Sequence, residues 1–195
     1  MTTSHSCSDV PLSRSLASVI SRKGKPVNDL PDGANYARSG FSPKYRCVES
    51  SDDCQGLYAC IAMIVGDTLE EVRQTALAIS NPLAHGSGSL TEQLVTDLLA
   101  HYGGWRCSQY AKVEAISKLP DLALIVIAKD AGTRGGHTKH CLFHRQRPAP
   151  GRPSVEYVVD PSRATSPDQR IRFDVANVEP FYYMHIYWMQ FSDDF

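Results

Sequence analysis

The chain has 195 residues, of which 42% are hydrophobic and 21% charged, and its formal net charge is -1. This size and composition are those of a single globular domain. The near-neutral charge gives no overall basic field that would favour nucleic acid or membrane surfaces. The longest apolar stretch, residues 122–128, is too short to span a bilayer, and no apolar signal-peptide core follows Met1.

The first part of the chain differs in composition from the rest. Residues 1–44 are rich in Ser, Thr, Arg, Lys, Gly and Pro, which predicts a flexible arm or a leader segment for secretion. Residues 45–195 have the pattern of a packed domain.

Helical patterns come first in this domain. Apolar residues at helical spacing predict a helix from Cys54 to Val65 that stops at Gly66-Asp67. Thr68 and Glu71 form a capping-box pattern that begins a second helix, which ends at Asn81-Pro82. Residues 85–88 read as a loop, and a third helix starts at Ser89 or Thr91 and stops at Gly103-Gly104. The expected inward positions of the three helices are Leu57, Tyr58, Ile61, Ile64 and Val65; Leu69, Val72, Ala76 and Ile79; and Leu90, Leu94, Leu98 and Leu99.

Strand patterns dominate the second half. Residues 122–128 form a short β-branched run typical of a buried strand. Further strands are predicted at 105–110, 140–146, 155–160, 170–174 and 181–191, with a helical turn at 113–118. Helices followed by antiparallel strands predict an α+β domain.

The six cysteines show no C-x-x-C pair, and three of them fall in apolar runs, which favours reduced thiols and a cytosolic site of action. Cys54 is the candidate nucleophile, because the N–H groups and dipole at a helix start favour a thiolate. Cys60 is the alternative nucleophile, although burial in mid-helix would raise its pKa. In that case Gln55 would resemble the glutamine that papain-type enzymes place before their cysteine, as an upstream oxyanion donor. A third interpretation makes both cysteines small apolar core residues.

A thiol nucleophile needs a base, and three histidines cluster at His137, His140 and His144. His140 precedes an apolar run and so begins a strand. Asp160 ends a strand before Pro161, and we expect its carboxylate to orient the imidazole across neighbouring antiparallel strands, where side chains come within ~5 Å. The simpler alternatives are a structural or exposed histidine and an Asp-Pro turn.

The pattern His137-x-x-His140-Cys141-x-x-His144 also has the residue types of a zinc site. Along a strand, however, His140 and His144 face one side and Cys141 the other, so the groups do not converge. We therefore predict neither a metal nor another cofactor.

The segment Asp53-Cys54 followed by Ala59-Cys60-Ile61-Ala62-Met63-Ile64, with His140 and Asp160 downstream, resembles the papain-like superfamily of thiol hydrolases. The helix is similar to that of bacteriocin-processing peptidase domains in ABC exporters and to the cysteine helix of OTU deubiquitinases. Over residues 45 to 165 the chain most resembles bacterial effector and toxin glutamine deamidases of papain-like fold.

This resemblance implies a papain-like fold, in which N-terminal helices pack on a C-terminal antiparallel sheet and the nucleophile begins the central helix. It implies a Cys54, His140 and Asp160 triad, with the oxyanion bound by the backbone or side chain of Gln55 or Asp53. The favoured reaction is deamidation of a glutamine in a protein substrate, which could belong to the ubiquitin system. The alternatives are a cysteine protease or deubiquitinase, and a catalytically silent binding module. The expected place of action is the cytoplasm, with delivery into a host cell by a bacterial secretion system compatible with residues 1–44.

Overall fold

Three helices precede an antiparallel sheet in the computed structural model, which describes residues 41–51, 55–79, 92–128, 138–147 and 153–189. The helices are α1 (Gly56–Val65), α2 (Leu69–Ile79) and α3 (Glu92–His101). The strands are β1 (Trp105–Cys107), β2 (Ala111–Lys112), β3 (Leu122–Ala128), β4 (Thr138–Gln146), β5 (Val155–Val159), β6 (Ile171–Arg172) and β7 (Pro180–Trp188). The predicted α+β class is confirmed.

Helix α1 is buried on nearly all sides. Only Tyr58 and Val65 retain partial exposure, whereas Ala59 and Ala62, outside the predicted apolar stripe, are fully buried. The expectation of a one-sided stripe is therefore wrong. The helix lies between strand β4 and helix α2 and contacts both, so most of its surface is covered.

The turn from α1 to α2 is fixed by local sequence. Gly66 adopts a left-handed conformation with φ 76°, and the backbone N–H groups of Gly66 and Asp67 donate to the carbonyl of Ala62. The predicted capping box is formed, because Glu71 N–H donates to Thr68 Oγ1 at 3.1 Å and Thr68 N–H donates to Glu71 Oε2 at 3.3 Å.

The last strand of the described residues, β7, lies inside the sheet. The strand order is β1-β7-β3-β4-β5-β6, and β2 also pairs with β7. Every strand pair is antiparallel. Strands β1 and β2 are thus held at one edge by β7.

Apolar residues cover both faces of the sheet. The helix-side face joins α1, α2 and α3 to Leu124, Leu142, Val159 and Met184. The opposite face carries a second cluster that includes Ile125, Cys141, Phe143, Val158 and Val178. Strand β4 therefore alternates as predicted, with Leu142 towards the helices and its neighbours Cys141 and Phe143 away from them.

The packed domain begins earlier than residue 45. The ring of Phe41 lies 5.4 Å from those of Tyr157 and Phe173, and Lys44 N–H donates to Tyr157 Oη at 2.9 Å. Residues 1–40 lie outside the described residues. None of the helices that the structure describes has the length and apolar character needed to cross a bilayer.

Candidate active site

The first turn of α1 lies directly against the strand that carries His140. A Cβ atom built on Gly56 would lie 3.6 Å from the backbone oxygen of His140 and 3.8 Å from Cγ of Pro161. Asp53 and Cys54 lie outside the described residues. Cys54 precedes Gly56 by two residues, so chain connectivity limits their Cα separation to about 7 Å.

His140 is half-buried on the helix side of the sheet, and its ring is hydrogen-bonded to a tyrosine. Its Nε2 atom lies 2.9 Å from the hydroxyl of Tyr110. No residue in the described ranges forms a hydrogen bond with its other ring nitrogen, Nδ1. Burial lowers the pKa of His140 from its ordinary value near 6.5, so the imidazole is neutral at pH 7 and able to accept a proton.

Tyr110, which the sequence analysis did not select, connects three elements. It lies between β1 and β2, and its backbone N–H donates to Glu92 Oε1, at the start of α3, at 3.0 Å. Burial raises the pKa of its phenol to about 12, so the hydroxyl is neutral at physiological pH. Thirty residues separate Tyr110 from His140, and no local motif marks the pair.

Asp160 does not contact His140, so the predicted hydrogen bond between them is wrong. The carboxylate of Asp160 instead accepts hydrogen bonds from Lys139 Nζ at 2.5 Å, Thr165 Oγ1 at 2.8 Å and Ser162 N–H at 3.0 Å. The register of β4 and β5 pairs Leu142 with Val159. One residue further, Asp160 comes opposite Cys141, and alternation gives it the face away from His140.

The turn that follows β5 is hydrogen-bonded to the chain segment that leads into α1. Ser50 N–H donates to the carbonyl of Pro161 at 2.7 Å, and Arg163 N–H donates to the carbonyl of Ser50 at 3.1 Å. Cys47 Sγ contacts the carbonyl of Asp160 at 3.7 Å. Asp160 thus helps to hold the segment before α1 in place, which is a structural role.

The alternative nucleophile Cys60 does not fit the structure. Its side chain is 0% exposed, and burial raises its thiol pKa well above the ordinary value. Burial also raises the pKa of Cys47 to about 11 and raises those of Cys107 and Cys141. All four are free thiols, and each is protonated at neutral pH. Among the described residues, no cysteine therefore has surroundings that favour the thiolate at neutral pH.

The start of α1 offers backbone N–H groups. Gln55 immediately precedes the helix, its side chain makes no capping hydrogen bond, and the first turn contains no acidic residue. Gln55 Oε1 accepts a hydrogen bond from Ser51 Oγ at 3.3 Å. The positive end of the helix dipole therefore has no carboxylate of its own first turn to offset it.

His144 is committed to packing. Its Nδ1 atom lies 3.0 Å from the hydroxyl of Tyr157, and its ring makes edge contacts with Tyr45 and Tyr157. Cys141 points to the opposite core, as the sequence analysis expected, and His137 lies outside the described residues. Within the ranges that the structure covers, no three His, Cys, Asp or Glu side chains converge in a way that could hold a metal ion.

His144 is expected to make stability depend on pH. Burial lowers its pKa to about 4, so the folded state resists protonation that the unfolded state accepts near pH 6.5. The stabilisation that neutral His144 contributes to the folded state is fully present above pH 6.5. Roughly 2 to 3 kcal/mol of stability is lost as the pH falls towards 4. Urea unfolding between pH 7 and 4 tests this, with His144→Gln expected to flatten the slope and the exposed His185→Gln to retain it. An unchanged slope in His144→Gln would contradict the assignment.

A groove of about 540 Å³ lies beside Tyr110, and it is also lined by Ser108, Lys118, Pro120, Tyr183 and His185. It borders Tyr110, the residue that is hydrogen-bonded to His140, but does not include His140 itself.

Comparison with known proteins assigns no family, since no family model and no curated protein matches the chain.

Proposed function

We propose that this protein is a papain-like cysteine amide hydrolase, with Cys54 as nucleophile and His140 as general base. The observation that carries the proposal is the close approach of Gly56, in the first turn of α1, to the backbone of His140, since Cys54 lies two residues before Gly56. Burial lowers the pKa of His140 and so favours the neutral imidazole, which can accept a thiol proton. The backbone N–H groups at the start of α1 favour a thiolate.

The choice of Cys54 is supported by elimination. The four described thiols are all protonated at neutral pH. Of the two remaining cysteines, Cys7 lies nearly fifty residues before α1, and Cys54 is adjacent to Gln55. Cys54 is therefore the thiol that the helix start and His140 can act on together.

The proposed reaction is acyl transfer in two steps. His140 accepts the proton of Cys54, and the thiolate sulfur bonds to the amide carbonyl carbon of the substrate. The C–N bond then breaks, and the leaving nitrogen takes the proton from His140. Water, deprotonated by His140, cleaves the thioester and restores the thiol. The backbone N–H of Gln55, with a contribution from Asp53, would bind the oxyanion.

The substrate we propose is a glutamine side chain in a protein, so that ammonia is the leaving group. This choice follows the resemblance of the cysteine helix to papain-like effector deamidases. Peptide-bond cleavage and removal of ubiquitin are the alternatives, because they use the same thiol chemistry with a different leaving amine.

A catalytically silent binding module is the second candidate function. It is favoured by the position of Asp160, whose carboxylate is bonded to Lys139 rather than to His140. A base without a carboxylate partner loses the charge stabilisation that such a partner gives its protonated form.

The reaction can be identified with a trap. Cys54→Ala protein should retain its protein substrate, which can then be recovered and incubated with the wild-type enzyme. A mass gain of about one dalton in the intact substrate indicates deamidation, whereas fragments indicate proteolysis. His140→Ala protein serves as the inactive control. A captured partner whose mass never changes would favour the binding module.

A further inference from the structure

We infer that Tyr110, held by Glu92, is the positioning residue that orients His140, in the place that the sequence analysis gave to Asp160. This inference rests on the proposed function, since it concerns the base of the same reaction. No motif in the sequence indicates that the hydroxyl of Tyr110 contacts the imidazole of His140.

The contact between the two side chains is made by the hydroxyl group. Tyr110 Oη lies 2.9 Å from His140 Nε2, whereas the ring centroids are 6.3 Å apart and the ring planes are inclined by 47°. The rings are therefore not stacked, and a single oxygen atom fixes the imidazole. Removal of that oxygen tests the contact without removing the aromatic ring.

Tyr110 is itself held on both sides along the chain. Its backbone N–H donates to Glu92 Oε1 at 3.0 Å, which ties it to the start of α3. The preceding strand β1 and the following strand β2 both pair with β7, and the ring packs against the helix-side core. A hydroxyl carried by so constrained a residue has a defined position.

The hydroxyl occupies Nε2, so Nδ1 is the imidazole nitrogen that we expect to act as base. When Tyr110 Oη accepts the proton of Nε2–H, the lone pair remains on Nδ1 and that nitrogen can take the thiol proton. The phenol stays neutral because burial raises its pKa to about 12. It therefore contacts Nε2 without adding the negative charge that a carboxylate would bring, in keeping with the lowered pKa of His140.

Tyr110→Phe, studied in the full-length protein, tests the inference. Ring ¹⁵N NMR of His140 is expected to show the Nε2–H tautomer in the wild type and a mixture of tautomers in Tyr110→Phe. Alkylation of Cys54 by iodoacetamide is expected to slow about five- to tenfold, the effect of one hydrogen bond. Glu92→Ala should give a smaller change in the same direction. Tyr102→Phe, which loses only a hydrogen bond to Thr75, should match the wild type.

The outcomes separate this inference from the proposed function. An Nδ1–H tautomer in the wild type, or His140 resonances that are the same in Tyr110→Phe, would overturn the positioning role. Slow alkylation of Cys54 in the wild type, whatever the tautomer, would instead reject the proposed function and with it the catalytic meaning of the contact.

Discussion

Asp160→Ala is expected to lower the free energy of unfolding by about 3 to 5 kcal/mol, because it leaves the largely shielded ammonium of Lys139 without its partner. The side chains of Lys139 and Asp160 are only 18% and 5% exposed, and their charged atoms lie 2.5 Å apart. Ser162 N–H and Thr165 Oγ1 also lose the acceptor that holds the turn. Urea unfolding monitored by circular dichroism measures the loss.

A matched surface pair provides the control for this prediction. Lys118 and Glu114 also form an ion pair, at 2.6 Å, but their side chains are 69% and 70% exposed. Glu114→Ala is expected to cost well under about 1 kcal/mol, since solvent screens an exposed pair. If Asp160→Ala were as stable as the wild type but alkylated slowly at Cys54, the structural role would be wrong and Asp160 would belong to the catalytic group.

The two cysteines of the helix segment are expected to behave in opposite ways. Cys54→Ala should reduce turnover by at least about 10³-fold, the loss expected when a nucleophile is removed, while leaving stability near that of the wild type. Cys60→Ala should retain turnover but lose about 1 kcal/mol of stability, because it removes a buried sulfur from a packed core. Turnover is measured on the substrate recovered with the trap, and stability by urea unfolding.

The comparison is informative because both variants make the same chemical change six residues apart. Loss of turnover in Cys60→Ala at unchanged stability would make Cys60 the nucleophile despite its burial. Turnover at the wild-type level in both variants would show that neither thiol is the nucleophile and would reject the role proposed for Cys54.

Features set by neighbouring residues could be predicted from the sequence. Strand β3 spans the predicted residues 122–128, and the Thr68 and Glu71 capping box forms as expected. The glycine that ends α1 does so because Gly66 takes a positive φ. Each of these features depends on a few adjacent residues, so a pattern is sufficient to reveal it.

Features that depend on strand register could not be predicted from the sequence. We expected Asp160 to lie beside His140 because their strands are neighbours. Strands β4 and β5 are indeed neighbours. The register, however, decides the face of each residue, and a shift by one position moves a side chain to the other side of the sheet. The contact of Tyr110 with His140 likewise depends on β7 lying between β1 and β3, an arrangement that no local pattern specifies.

The pH dependence of Cys54 alkylation, resolved by peptide mass spectrometry, tests most directly whether His140 activates this thiol. In the wild type, iodoacetamide is expected to modify Cys54 near pH 7 at least about tenfold faster than the half-buried Cys47 and Cys107, whose thiol pKa values are raised. In His140→Ala, the midpoint should move towards about 8.5, the value of an unassisted thiol. Equally slow modification of all three cysteines, unchanged in His140→Ala, would contradict the account.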